Sequence, residues 1–545
     1  MTATTAALAR PGRPSAQSAL AAALPADLSH SPVLGVLGVI LGATIVSLAG
    51  RLLTLGLADL KGNVGISFDQ GAWIGSAFNV ALMFIGPFTV YLGALLGPRR
   101  ILLVSAAVFT AVTACLPFVH DYGLLIALLA IAGLSSGTFY PLTLTFALRH
   151  VPLRYLALTL ALYATCIEGA VNFTPALYGF YRAYLSWDWM FWTLAFVTPA
   201  MMACVYYGIP ASPKAQSPAA PPSFVGFFCA SAGAALLYAA LDQGQRLDWW
   251  RSGLFNGLAT AGIFLVLCAI VHRLRRPNPF VDVPYLGQWN TVLLGAALIS
   301  FRFVLLVTIV IIPQSLSVRG LDAGQFAPAV LWTAVPELVL AFFAAHLLNK
   351  GVDSRLVMGM GFAAIAAACV MNAQYTSVWS AENYFRTELL MAVGQSLAFV
   401  GLVATIVLQA FTSGGLQSPF RALTFAAFFH TVRLFGGEIG VAAMTRFIAE
   451  REKLHSYLLG LHVQAGDWIA DHLLRSVTAG LAGRSSGLAA DRAAAIVDGK
   501  IRLEAYTLTF IDAFQLVVWV CVGTLVLIAF LRRSAIGYGA FTSRS

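Results

Sequence analysis

Long apolar runs are the feature that most restricts what this 545-residue chain can fold into. Roughly 20 consecutive apolar residues are enough to cross a bilayer as one α-helix. Within lipid every backbone polar group must be satisfied internally, and the runs are too long and too uniformly apolar for alternating strands. The sequence therefore predicts an all-α membrane protein. Its fourteen spans lie near 33–55, 71–96, 101–119, 122–147, 155–181, 189–210, 223–242, 253–271, 291–313, 325–347, 357–375, 387–409, 423–447 and 506–531.

Composition supports a membrane chain and excludes several function classes. Charged residues make up 10% of the sequence, whereas soluble domains carry about 25%. The net charge of +10 comes from basic residues in short loops, without the aromatic-interleaved patches that bind nucleic acid. The seven cysteines all lie inside apolar runs, and there is no CxxC pair, phosphate loop or nucleophile elbow. We expect no enzyme activity, cofactor, metal site or nucleic-acid partner.

The distribution of Lys and Arg over the short loops predicts orientation. One set of loops, together with the C-terminal tail, carries fourteen of these residues. The opposite set carries six, namely Lys61, Arg182, Arg246, Arg251, Arg319 and Arg386. We therefore expect both termini in the cytoplasm. The Ala/Ser/Pro-rich residues 1–30 are expected to be a disordered tail, and residues 536–545 a second cytoplasmic tail.

The long segment 448–505 is expected on the outer, periplasmic side. Its pattern predicts an amphipathic helix near 446–480 and a Gly/Ser break at 483–487. It is either a solvated helical hairpin or a docking surface for a partner. Its histidines are spaced by seven and ten residues, which offers no metal-ligand pair on one helix turn.

Charged residues inside the spans are the candidate functional groups, because a charge at membrane depth costs about 2.5–3.5 kcal/mol. In the fifth span Glu168, Asn172, Pro175 and Gly179 recur at helical spacing and share one face. Glu168 is either a structural acid paired to another helix or a group that handles protons or substrate.

Two further groups of polar residues lie in the first, ninth and tenth spans. Thr44, Ser47 and Arg51 line one face of the first span. Arg51 either snorkels to the interface or points into the cleft, where it binds an anion or pairs with Glu168. Arg302 and Glu337 lie mid-span in the ninth and tenth helices, and they either pair with each other or contact substrate or protons.

The thirteenth span carries His430 and Arg433 three residues apart, with Glu438 on another face. Both signs of charge are therefore present near the middle of the membrane. An amphiphilic or anionic substrate fits such a mixed cavity at least as well as a lipophilic cation.

Four sequence stretches then point to a family. They are Asp-Gln-Gly-Ala-Trp at 69–73, Leu-Asp-Gln-Gly-Gln-Arg-Leu-Asp-Trp-Trp at 241–250, Pro-Asn-Pro-Phe-Val-Asp at 277–282 and Arg-Leu-Phe-Gly-Gly-Glu-Ile-Gly at 433–440. With fourteen spans and a long loop before the last, the chain resembles the EmrB/QacA-type drug:proton antiporter branch of the major facilitator superfamily.

The resemblance implies a fold and a mode of action. It implies six-helix bundles at 31–210 and 291–535 and two inserted linker helices at 211–290. The bundles would rock about a central site so that access alternates. It further implies an inner-membrane exporter of hydrophobic or amphiphilic small molecules, proton-coupled, that works with a periplasmic adaptor (a membrane fusion protein) and an outer-membrane channel.

Several family signatures are altered here. The loop after the second span keeps Gly97, Arg99 and Arg100, but the acid of that motif is Ala94. The Asp usual in the first span is Gly42, and the fourth span lacks its usual Arg.

The residues that remain fall into three sets of candidates. We expect proton coupling at Glu168, Glu337 or Glu438, and gating at Pro175, Gly179, Gly97, Arg99 and Arg100. The substrate-cavity candidates are Thr44, Ser47, Arg51, Asn172, Arg302, His430 and Arg433. The alternatives are a narrow-specificity carrier for one endogenous metabolite with altered or absent proton coupling and, remotely, a non-transporting receptor or scaffold.

Overall fold

The computed structural model describes residues 31–210, 223–275, 287–413, 419–463, 466–482, 488–534 and 537–539. Within them the chain is helical. The α-helices are α1 Pro32–Val64, α2 Phe68–Leu96, α3 Pro98–Cys115, α4 Tyr122–Ser136, α5 Phe139–His150, α6 Leu153–Tyr184, α7 Trp189–Gly208, α8 Phe224–Gly244, α9 Gly253–Leu274, α10 Trp289–Val304, α11 Ile312–Ser317, α12 Ala323–Asn349, α13 Ser354–Asn372, α14 Phe385–Thr412, α15 Pro419–Gly460, α16 Trp468–Ala482 and α17 Ala489–Ala529.

Fourteen crossings agree with the prediction from the apolar runs. Thirteen candidate spans among the described residues are long and apolar enough by composition, with α4 and α5 forming one span and α10 and α11 another. The fourteenth is α15, a helix of 42 residues. Its membrane stretch carries His430, Arg433 and Glu438, which lower its apolar character. Large apolar side chains elsewhere face outward, among them Phe264 and Trp519, and provide a lipid-contact surface.

Local sequence signals set several helix ends. Ser67 caps α2 and Asp322 caps α12, each in a reciprocal capping box with a glutamine three residues later. Between α2 and α3 the chain turns at Gly97, whose φ of 86° lies in the left-handed region that glycine tolerates. The predicted hinge glycine therefore forms the α2–α3 turn.

The ninth span is not a uniform α-helix. Residues Val307–Ile311 form a π-helical turn between α10 and α11, directly before Pro313. Proline has no N–H to donate to the carbonyl four residues earlier, which is that of Ile309. This carbonyl is consequently available to a side chain from another helix.

The helices form two halves joined along several seams. Helices α1 to α7 make the N-half, and α10 to α17 make the C-half. Across the interface α6 packs on α12 and α14, while α2 and α5 pack on α15. Of the inserted pair, α8 lies against both α2 and α15, and α9 packs on α8. Helix α8 thus sits at a seam where both halves meet.

The segment around 448–505 departs from the predicted single helix near 446–480. Helix α15 continues without a break to Gly460, and a separate helix α16 begins at Trp468 and packs on α17. Residues 461–463 form a turn that ends the first helix. The predicted break at 483–487, the tail 1–30 and the stretch 277–282 lie outside the described residues, as does most of 536–545.

Candidate substrate and proton site

A buried polar group lies where α6 of the N-half meets the C-half. We call Glu168, Asn172, Arg302, Glu337 and Gln395 the central cluster. Its carboxyl and amide side chains are between 0% and 2% exposed. The predicted shared face of α6 is what points Glu168 and Asn172 together into this interface.

The ion pair in the central cluster crosses between the halves. Arg302 Nη1 of α10 lies 3.9 Å from Glu168 Oε1 of α6. Neither carboxylate oxygen of Glu168 has a hydrogen-bond partner among the described residues. The alternative pairs Arg302 with Glu337 and Arg51 with Glu168 are therefore not the ones formed.

Glu337 is held by an amide instead. Asn172 Nδ2 donates to Glu337 Oε1 at 3.3 Å and to Gln395 Oε1 at 3.0 Å. Gln395 in turn donates to Thr308 Oγ1 in the π-helical turn at 3.3 Å. One N-half amide thus links three spans of the C-half, so relative motion of the halves must break or rearrange these bonds.

Beside the central cluster, Arg433 and His430 of α15 face Tyr140 of α5. The Arg433 guanidinium lies 4.1 Å from the Tyr140 ring centre, within cation–π range. The His430 ring lies 5.1 Å from that same ring. The Tyr140 hydroxyl bonds to the Ser47 hydroxyl of α1. Ser47, His430 and Arg433, predicted as cavity residues from two distant spans, are therefore brought together by Tyr140.

The donors of Arg433 and His430 are incompletely used. Nε and Nη1 of Arg433 and both ring nitrogens of His430 are buried without a hydrogen-bond partner among the described residues. Leaving buried polar groups unpaired costs about 1–3 kcal/mol each. Such groups are suited to a polar ligand that supplies the missing acceptors.

Two other cavity candidates have different surroundings. Arg51 donates from Nη2 to the carbonyl of Ile309 at 2.9 Å, the carbonyl that Pro313 leaves without its usual donor. It thus joins α1 to the π-helical turn across the two halves and does not snorkel. The Thr44 hydroxyl donates to the Ile40 carbonyl one turn earlier in its own helix.

Glu438 lies apart from the central cluster, at the seam with the inserted helices. It is 8% exposed, and the Tyr238 hydroxyl of α8 donates a hydrogen bond to it. Asp242, one turn along α8, acts on it electrostatically. The three predicted proton-coupling acids therefore occupy two places.

The predicted gating residues lie at both ends of the molecule. At the α1–α2 end, beyond Pro175 within α6, Gly179 approaches α12 so closely that a Cβ on it would lie 2.6 Å from Gly324 Cα. Arg182 lies next to this contact, 3.4 Å from Asp59 of α1 and 3.7 Å from Asp322 of the C-half. These contacts hold the two halves together at the α1–α2 end.

At the α2–α3 end the expected basic latch stays within one half. Arg99 Nη2 donates to the Tyr206 carbonyl of α7 at 2.6 Å, and its guanidinium lies 5.2 Å from the Tyr206 ring centre. Arg100 is exposed. In this conformation Arg99 therefore braces the N-half, and it does not join the two halves.

A family model described as Major Facilitator Superfamily matches residues 39–441 of the sequence. The chain belongs to the Major Facilitator Superfamily. Within it, the chain belongs to the EmrB-type branch. It is 23% identical to the multidrug export protein EmrB of Haemophilus influenzae over 434 residues, 78% of this chain and 80% of that protein.

Two further proteins are similar to this transporter. It is 23% identical to the fatty acid resistance protein FarB of Neisseria gonorrhoeae over 411 residues, 74% of this chain and 78% of FarB. The solved structure of the proton:xylose symporter XylE has a TM-score of 0.51 at 12% identity and covers 94% of this chain and 98% of that one. The XylE likeness shows the major facilitator fold alone.

Several residues of this major facilitator's site were missed by sequence reasoning. Gln395 is a polar residue inside the apolar run of α14, which was a usable signal. Tyr140 and Tyr238 gave no signal, because an aromatic residue in an apolar span reads as core or lipid contact. Asp242 belonged to the family-like stretch at 241–250 but was not assigned a role.

Proposed function

We propose that this protein is a secondary active exporter of amphiphilic small molecules in a bacterial inner membrane, driven by proton exchange. Both termini lie in the cytoplasm, which places the α1–α2 end outside. The observation that carries the proposal is the ion pair between Glu168 and Arg302, since it joins the two halves at a central, buried position. The export activities named for the EmrB relatives support this direction of transport.

The cross-half ion pair provides a mechanism for exchange. In the empty, deprotonated carrier Glu168 and Arg302 hold the halves together, so the carrier does not reorient. A proton on Glu168 removes its charge and breaks the pair. An anionic substrate group on Arg433, which interacts electrostatically with Arg302, competes with Glu168 for Arg302 and breaks the pair as well. Reorientation then requires either a proton or a substrate, which is the condition for exchanging one for the other.

The substrate we favour carries an acidic head group on an apolar body. Arg433 and His430 offer unpaired buried nitrogens, and Tyr140 offers an aromatic face beside them. An acid group would accept charge-assisted hydrogen bonds from Arg433, so that the unpaired N–H groups of Arg433 would gain acceptors. The relative FarB is named for fatty acid resistance, and this supports the same class of compound.

Transport by purified protein in proteoliposomes tests the proposal. The probes are anilinonaphthalene sulfonate, an amphiphilic anion, and ethidium, an amphiphilic cation. In the wild type we expect an imposed proton gradient to drive sulfonate accumulation, with much less ethidium. Glu168→Gln should abolish accumulation and leave a pH-independent downhill flux, since the ion pair that prevents reorientation is absent. Gradient-driven accumulation that survives Glu168→Gln would contradict the exchange mechanism.

A partner protein is part of the proposal. Helices α15 and α17 extend far beyond the membrane stretch, and exposed aromatic residues, Tyr457 at 66% and Trp468 at 74%, lie near the tip. We propose that this extension docks a periplasmic adaptor that leads to an outer-membrane channel. Removing residues 461–482 should spare flux in proteoliposomes and abolish export from cells. Unchanged export from cells would contradict docking at this extension.

A further inference from the structure

The seam between the inserted helix α8 and helices α2 and α15 contains a line of polar groups that the exchange mechanism leaves unused. At its outer end Asp69 of α2 pairs with Arg246 at 2.7 Å. Arg246 Nε then donates to Gln243 Oε1 at 2.6 Å. Gln243 donates to Asp242 Oδ2 at 3.0 Å, and the Ser76 hydroxyl of α2 also donates to Asp242.

The line continues toward the centre of the membrane. Asp242 and Glu438 interact electrostatically, and Tyr238 hydrogen-bonds to Glu438. Tyr238 in turn lies in the field of Arg302. On α15, a Cβ added at Gly437 would lie 3.0 Å from Arg302 Nη2, so the seam reaches the guanidinium of the central cluster.

Structural bonding alone does not explain these residues. Two carboxyl groups that interact at a buried seam repel each other when both are ionised, so they destabilise helix packing. A pair of apolar residues would join α8 to α15 at lower cost. Beyond them, Arg302 Nε and Nη1 are buried without hydrogen-bond partners among the described residues, as are both oxygens of Glu168. The line therefore ends on guanidinium nitrogens that can donate to a bridging water and on carboxylate oxygens that can accept a proton.

We propose that this seam is the proton entry path of the carrier, and that the inserted helix α8 supplies Asp242 and Tyr238 to it. The inference rests on the proposed function, because Glu168 is taken as the proton acceptor. The path runs from Asp242 through Glu438 and Tyr238 to Glu168.

The transfer proceeds by hydrogen-bonded hops. Asp242, which is half-buried, takes a proton from water at the outer end and passes it to the Glu438 carboxylate. Protonated Glu438 donates to the Tyr238 hydroxyl oxygen while that hydroxyl releases its own proton inward. A water held by the free guanidinium nitrogens of Arg302 carries the proton to Glu168. Each group returns to its starting state, and one proton has moved from outside to the central cluster.

Two transport modes of the full-length protein in proteoliposomes test the path. Gradient-driven accumulation of anilinonaphthalene sulfonate requires proton entry, whereas sulfonate–sulfonate counterflow does not. We expect Asp242→Asn and Glu438→Gln each to lower driven accumulation by at least about tenfold and to leave counterflow within about twofold. Glu388→Gln is the matched control, since Glu388 is also a buried carboxyl group but bonds to Thr333 within the C-half. It should retain driven accumulation.

Carbodiimide labelling gives a readout that does not depend on transport. Dicyclohexylcarbodiimide modifies protonated carboxyl groups in apolar surroundings, and mass spectrometry of peptides locates the adduct. We expect labelling of Glu438 that falls as the outer pH rises and is weaker in Asp242→Asn.

The outcomes separate the two proposals. Wild-type protein that moves no probe removes the proposed function, while pH-dependent labelling of Glu438 still supports the path. The path is overturned if driven accumulation survives both substitutions, if counterflow falls equally, or if labelling ignores the outer pH.

Discussion

The two halves of the protein share one membrane architecture but differ in where they carry charge. In the N-half, Glu168, Arg51 and Arg182 are the charged side chains that contact the C-half. Its interior contains a small apolar cavity of about 20 Å³ among residues such as Phe78, Phe109 and Leu129. The C-half contributes most of the inward-facing charge, through Arg302, Glu337, Glu388, His430, Arg433 and Glu438.

The same contrast holds at the loops of the α2–α3 end. In the C-half, Asp353 accepts from Arg355 at 2.8 Å, and Arg533 approaches it at 3.6 Å. In the N-half, the corresponding Arg99 binds a carbonyl and a ring, because the acid of its loop is Ala94. The loop of the N-half therefore has fewer ionisable groups than the matching loop of the C-half. Substrate and proton chemistry should therefore depend more on the C-half.

The largest expected effect comes from removing the buried Arg433 cation of the C-half. Arg433→Leu should lower kcat/KM for the sulfonate by about 100-fold, or about 3 kcal/mol, because the head group loses its charge-assisted donors. Initial rates in proteoliposomes measure this, with gel filtration to verify folding. Arg100→Leu, an exposed arginine of the N-half, is the control and should stay within about twofold. Equal losses in both variants would contradict the claim that substrate chemistry depends more on the C-half.

Restoring the family acid to the N-half should fail. A Cβ at Gly42 would lie 2.8 Å from Thr143 Cγ2, so α1 has no room for a side chain there. Gly42→Asp should destabilise the protein by about 2 kcal/mol through overpacking and burial of a carboxyl group. Thermal unfolding in detergent measures the loss. Gly42→Ala should lose less, and gradient-driven transport that improves in Gly42→Asp would refute this reading of the N-half.

A third prediction tests whether the N-half acts through its shape. Gly179→Ala places a Cβ 2.6 Å from Gly324 Cα and should shift the closed α1–α2 end toward open by about 1.5 kcal/mol, roughly tenfold in population. Spin labels at the exposed positions Asn63 and Glu382 report the opening as a longer distance. The control is Gly257→Ala, where a Cβ meets nothing within 4 Å. An unchanged distance distribution in Gly179→Ala would show that closure does not depend on this contact.

The smallest effect concerns the loop ion pairs of the C-half, which Asp353 forms with Arg355 and Arg533. Burial would raise the pKa of Asp353, but hydrogen bonds from Arg355 outweigh it and hold that pKa below its usual range. A lowered folded-state pKa stabilises the protein above the unfolded value of about 3.9, and this stabilisation is lost as pH falls through the folded value.

Asp353→Asn should therefore cost about 1 kcal/mol at neutral pH. The difference in Tm from the wild type should vanish in strong acid. Asp353 is also the N-cap of α13. A difference in Tm that persists at low pH would show that the effect comes from this cap and not from the charge of Asp353.

The sequence was sufficient for the number of crossings and for the identity of most buried charges, because both follow from the length and purity of apolar runs. It could not assign partners. Whether Arg302 meets Glu168 or Glu337 depends on how helices from two halves face each other, which no local pattern encodes. Thr44 shows a second limit, since its hydroxyl is satisfied within its own helix. The acceptor of Arg51, the Ile309 carbonyl, could have been inferred from the sequence only through Pro313, which leaves that carbonyl without its usual donor.

Helix α15 carries a mechanical consequence. Its 42 residues span about 63 Å, roughly twice the hydrocarbon thickness, and Arg451 and His455 tie it to Asp512 of α17. His430 and Gly460 are then separated by about 45 Å along one rigid rod. A tilt of about 10° at His430 would move Gly460 through about 8 Å. Helix α15 would therefore act as a lever, and each transport cycle would displace any protein bound to its end outside the bilayer.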